Sequence, residues 1–236
     1  MRTYRAQKGP FQERPFYKQE EVESLCQEEL AKHNLLPASP EPIRIERFIE
    51  KRFKVTPVYE ELPSGVLGFT RFNTNGVEAI VISRSLSEEE SRIAERRITT
   101  TLAHEAGHGL LHAHLFVVGS QPGQLFGDEY DPKAPKILCR DEPTDSAQGP
   151  KYNGKWWEFQ ANLVIGALLL PKILVVKSLE GTVLKSTGSF GLPQLKSQDR
   201  GRAVKVLSDT FNVNPVVAKI RLDQLLPENE SAQLTF

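Results

Sequence analysis

The pentad His104-Glu105-Ala106-Gly107-His108 has the residue types and spacing that metal-assisted hydrolysis requires. Histidines four apart share one helical face and can aim both imidazoles at a single ion. Glu105 lies about 100° round the same helix, close enough to reach a water on the ion without being a ligand. Zinc held by three protein groups keeps a fourth position open and lowers the pKa of a water there towards about 7. Glu105 is then the candidate general base, taking the water's proton as it attacks a peptide carbonyl and returning it to the leaving amine. Zinc is the expected cofactor, with His104 and His108 as ligands.

Random order of this composition produces the pentad with a probability of roughly 1%, so a third ligand has to carry the argument. Glu158 supplies it. It stands in Trp157-Glu158-Phe159-Gln160-Ala161-Asn162, at the start of an apolar helical stretch with Ala161, Ile165 and Leu169 on nearly the same face. A carboxylate there costs several kcal/mol to desolvate unless it is paired or bound to a metal. The small Ala161, one turn on, lets two helices approach closely around an ion. The competing reading has Glu158 simply complementing the positive end of the helix dipole.

Other residues divide the same way. His112, one turn beyond His108, either lines the cleft, orients a ligand, or interacts with the helix C-terminus. His114 reads as solvated loop. Cys139 beside Arg140 is a redox or extra metal ligand on one reading and a packed thiol on the other. Trp156 and Trp157 are better core anchors than a substrate wall.

The string His104-Glu105-Ala106-Gly107-His108-Gly109-Leu110-Leu111-His112, followed by Glu158 to Asn162 and Leu168 to Pro171, resembles the ImmA/IrrE metallopeptidases. The resemblance runs over residues 20–226. It implies His104, His108 and Glu158 as zinc ligands, Glu105 as general base, and a gluzincin-like core followed by a helix-turn-helix-like element. It also implies a protein substrate of the kind those enzymes cut, a DNA-binding repressor whose loss derepresses stress-response or mobile-element genes. In gluzincin-like folds an edge strand pairs with extended substrate, and residues 77–83 are either that strand or an ordinary core strand. The alternative function is a non-catalytic DNA- or protein-binding regulator with a structural metal site. A chance pentad on an inactive scaffold is the third.

The elements that must hold these residues are legible from periodicity. Residues 18–33 carry Val22, Leu25, Cys26 and Leu30 at helical spacing, and 45–53 read as a shorter helix. Runs at 55–59, 66–72 and 77–83 read as a small antiparallel sheet, the last two joined through Asn73-Thr74-Asn75-Gly76 with positive φ at the Asn-Gly step. A long helix is expected from Ser87, with Glu90 completing a capping box, to about His112. Residues 119–154, with five prolines, read as a long loop between the halves of the metal site, and a lid is one use for it. A buried helix covers 156–170 and Pro171 ends it. Residues 199–211 and 215–226 form a helix pair, with Asn214 as cap and Pro215 at the first position. Its candidate recognition charges, Lys219 and Arg221 opposed by Asp223, make a thin footprint for phosphate, so direct DNA binding stays open.

The fold class expected is therefore α+β: a peptidase domain over 1–180 with the 119–154 insertion, and a C-terminal helical element over 195–230. Thirty basic side chains balance thirty acidic ones, so no global field draws the chain to nucleic acid or membrane. A hydrophobic share of 39% with 25% charged residues argues against wholesale disorder. Cys26 and Cys139 form no C-x-x-C pair, and reduced thiols in a cytoplasm are the simplest expectation. No run approaches the roughly 20 apolar residues of a membrane span.

Overall fold

The computed structural model describes residues 2–5, 13–118, 136–140, 155–180, 185–186 and 193–227, and it is an α+β arrangement. A hairpin of β1 (Arg2–Arg5) and β2 (Glu13–Phe16) precedes α1 (Gln19–Lys32) and α2 (Ile45–Phe53). The central sheet contains β3 (Val58–Glu60), β4 (Val66–Asn73), β5 (Gly76–Ser83) and β6 (Lys136–Arg140). Helices α3 (Arg84–Glu88), α4 (Arg92–Leu111) and α5 (Ala113–Val118) follow β5 in the chain. Then come α6 (Trp156–Leu169), α7 (Lys172–Leu179), the short strands β7 (Lys185–Ser186) and β8 (Pro193–Gln194), and the final pair α8 (Arg200–Thr210) and α9 (Pro215–Leu225).

The helices follow the apolar rhythm. Val22, Cys26 and Leu30 recur every four residues on α1 and are all buried. Lys54 adopts the left-handed conformation (φ 63°) and ends α2. The start of the long helix differs from expectation. Ser87 lies inside α3, and Ser91 caps α4, its hydroxyl accepting from the Ala94 amide at 3.1 Å. The run from Ser87 to Ser91 offers two cap serines, and the chain breaks at Glu89, whose backbone is extended.

Sheet order is β3-β5-β4-β6. β4 pairs antiparallel with both β5 and β6, but β3 runs parallel to β5, so the sheet is mixed rather than wholly antiparallel. The hairpin between β4 and β5 closes as anticipated through Thr74-Asn75. Gly76 alone in this turn has positive φ (115°), while Asn73 Oδ1 accepts from the Asn75 amide at 2.8 Å. β5 is not the sheet edge proposed for substrate: it lies between β3 and β4, and Val81 and Ile82 are paired on both sides. β6 is a strand within the stretch read as loop. The remainder of that stretch, with the lid assigned to it, lies outside the described residues.

One hydrophobic core joins α1, α2, β5, α4, α6, α7, α8 and α9. A second cluster sets Trp156 and Trp157 against Phe72, as anchors rather than an exposed wall. α8 and α9 pack into the main core through Ala203, Leu207, Phe211, Val213, Ala218 and Leu222. Asn214 occupies the α9 cap with Pro215 behind it, though no side-chain capping bond forms. Arg221 is not available to phosphate: it is 1% exposed, its Nε donates to the Leu170 carbonyl, and its guanidinium grips both oxygens of Glu23 on α1. Lys219 pairs with Asp223, which Arg200 also engages. Among the described residues, no single helix is long and apolar enough to cross a membrane.

Candidate metal centre

Two helices build the site. His104 and His108 on α4, and His112 at its C-terminal cap, succeed one another at single-turn intervals, with ring centroids 4.7 Å and 5.2 Å apart. On α6, Glu158 and Asn162 stand four residues apart and both turn to His104. What brings the helices so close is the glycine of the pentad. A Cβ on Gly107 would stand 3.1 Å from the Cα and carbonyl oxygen of Ala161, tighter than ordinary packing allows. Gly107 and Ala161 together let the α6 carboxylate reach imidazoles on α4.

Three ligand atoms converge. His108 Nε2 lies 2.9 Å from His104 Nε2, Glu158 Oε2 lies 3.1 Å from His104 Nε2, and Glu158 Oε2 lies 3.7 Å from His108 Nε2. A tetrahedral ion with bonds of about 2.0–2.1 Å would separate its ligand atoms by about 3.3 Å. The observed triangle brackets that value, and His104, His108 and Glu158 could hold a metal ion. The donor chemistry agrees, with two imidazole nitrogens and a carboxylate.

The protonation states suit ligation. Burial alone would raise Glu158, but the imidazoles of His108 and His104 paired with it hold it well below the usual carboxylate range, so it is ionised. Burial keeps His108 low and therefore neutral, the form that binds metal. Burial opposes protonation of His104 too, yet contact with Glu158 raises it, so a proton competes with metal at that ring. His104 Nδ1 lies 3.0 Å from Asn162 Oδ1 and donates to it, which leaves the Nε2 lone pair facing the other ligands.

Glu105 is fully buried beside this triangle and is not one of the three. Thr70 on β4 lies 2.7 Å from its Oε2 and 3.0 Å from its backbone oxygen, and the hydroxyl's one proton serves the nearer carboxylate oxygen. Glu105 Oε1 has no hydrogen-bond partner among the described residues. Burial pushes this carboxyl up to about 8, against the pull of His104 and Thr70. A carboxyl so poised, with one oxygen anchored and the other unengaged, is equipped to exchange a proton with something placed at the triangle.

His112 is buried behind His108 and lies outside the ligand group. Its Nδ1 lies 3.0 Å from His108 Nδ1, its Nε2 lies 3.0 Å from Gln160 Oε1, and its ring edge meets Trp156. Burial, with His108 packed beside it, holds its pKa well below the ordinary histidine range. His114 is exposed, but on α5 rather than a loop. Cys139 sits in β6 opposite Gly68. Cys26 is a buried free thiol, its pKa raised chiefly by burial.

Thr70, Asn162 and Gln160 were not anticipated as site residues. Asn162 carried a signal, since it follows Glu158 by one helical turn. Gln160 carried another, being a polar residue on an apolar helix that needs partners when buried. Thr70 had none: it stands in a strand whose middle, Gly68 to Thr70, is buried at successive positions. No family model, curated protein or solved structure matches this chain.

Proposed function

We propose that the chain is a zinc-dependent metallo-endopeptidase, with His104, His108 and Glu158 as metal ligands and Glu105 as general base. The observation that carries this reading is the buried Oε1 of Glu105, without a hydrogen-bond partner among the described residues, beside a triangle of three ligand atoms. A structural zinc site is closed by four protein ligands, whereas three ligands with an adjacent unengaged carboxyl fit a site that works on water. Bound there, zinc would supply a Lewis acid and lower the pKa of a water at its open position. Glu105 takes the proton from the attacking water and hands it to the leaving nitrogen. Thr70 keeps the carboxylate turned so that Oε1 makes that transfer. Asn162 holds the His104 ring in its ligating tautomer.

The resemblance of the pentad, its Gly-Leu-Leu-His extension and the Glu158–Asn162 string to the ImmA/IrrE metallopeptidases supports a gluzincin-like core. It also supports a narrow protein substrate, such as a DNA-binding repressor. The test compares zinc-loaded wild type with Glu105→Gln on a whole-protein extract, mapping new N-termini by mass spectrometry. The variant is near-isosteric and removes no ligand. It should hold the same zinc and cleave at least about 10²-fold more slowly. Equal cleavage by the variant, or no cleavage by the loaded wild type, would count against the reading.

A further inference from the structure

His108 and His112 face each other through their Nδ1 atoms at 3.0 Å. Two nitrogens at that distance share one proton, so one ring donates and the other accepts. The next contacts decide which. Gln160 Nε2 donates to the backbone carbonyl of Pro15 on β2 at 2.7 Å. A carbonyl only accepts, so Pro15 holds the amide with its NH2 group towards itself and its oxygen towards His112. That oxygen in turn only accepts, so the proton of His112 sits on Nε2. Among the described residues no carboxylate hydrogen-bonds to His112, which is fully buried, and an unpaired imidazolium there would be costly. A neutral His112 with its proton on Nε2 has a lone pair on Nδ1. His108 must therefore donate from Nδ1, and its own lone pair lies on Nε2, the atom that faces His104 and Glu158.

We infer that Gln160 and His112 are positioning residues for the metal centre. Anchored on Pro15 of the N-terminal hairpin, they hold His108 in the one tautomer that presents Nε2 to a metal. The relay does for His108 what Asn162 does directly for His104. It makes a backbone carbonyl 145 positions away in sequence part of the site. The inference rests on His108 being a metal ligand, as proposed above.

The test uses the full-length chain loaded with zinc, the affinity read by competition with a chromophoric chelator and the tautomers by side-chain 15N NMR. In the wild type, His112 should carry its proton on Nε2 and His108 on Nδ1. Gln160→Met keeps the bulk and removes both polar contacts. It should weaken zinc by about 10–100-fold in the folded protein and let His112 populate both tautomers. Wild-type zinc affinity in folded Gln160→Met would overturn the relay. So would finding the His112 proton on Nδ1, or on both nitrogens, in the wild type, a measurement that needs no variant to fold. A wild-type chain that takes up no zinc would overturn the relay together with the metal centre. Zinc uptake with the wrong His112 tautomer would overturn the relay alone.

Discussion

The α9–α1 and α4–α6 contacts both bury charge between helices, and they are built on opposite terms. At the α9–α1 contact, Arg221 meets a carboxylate of complementary shape in Glu23 and a carbonyl in Leu170, so its charge and its planar donors are met inside the fold. At the α4–α6 contact, two imidazole nitrogens and a carboxylate oxygen point at one another, and the neighbouring Glu105 keeps an oxygen without a hydrogen bond among the described residues. The first arrangement is complete in itself. The second brings together three ligand atoms that could hold a metal ion. A buried ionic group thus tells little by its burial; what distinguishes a structural pair from a site is whether the protein itself supplies the counter-charge.

Breaking the self-contained pair should leave the other region intact. Glu23→Ala strands a buried guanidinium and should cost about 3–5 kcal/mol of stability. Urea unfolding would measure the loss, and zinc per folded chain should not change. A loss under about 1 kcal/mol would mean that Arg221 finds other partners and that the two regions differ less than drawn.

Gly107→Ala sharpens the comparison from the other side. Its Cβ would press on the Ala161 backbone, and overpacking of this kind should cost about 1–3 kcal/mol. Because the same contact sets the reach of Glu158, chelator competition should show weaker zinc binding as well, unlike Glu23→Ala. Loss of stability with unchanged zinc affinity would separate helix approach from ligation.

The smallest effect belongs to the start of α4. Ser91→Ala removes the cap and should cost about 1 kcal/mol, read from the unfolding midpoint. Ser87→Ala, on the surface of α3, should stay within about 0.5 kcal/mol. Reversal of that order would restore Ser87 as the cap.

The site was more legible in the sequence than the fold around it, for physical reasons. Histidines four apart on one helix, and a carboxylate on an apolar one, are local patterns, so His104, His108 and Glu158 can be picked out as candidates without knowing what packs where. The direction of β3 is not local: nothing in Val58–Glu60 says that its partner will run parallel. β6 is five residues set among prolines, too short to show a period. The cap was ambiguous because serines stand at both 87 and 91. Arg221 read as surface charge because Glu23, which neutralises it, lies 198 positions away. Gln160 could be marked as needing partners, but its anchor on Pro15 appears only once the hairpin has folded against α6.

Metal analysis of wild type and Glu158→Ala, purified without chelator and passed through gel filtration, tests the α4–α6 centre most directly. About one zinc per wild-type chain and none on the folded variant is the expected result. Stoichiometric zinc on Glu158→Ala, or iron in place of zinc on the wild type, would contradict it.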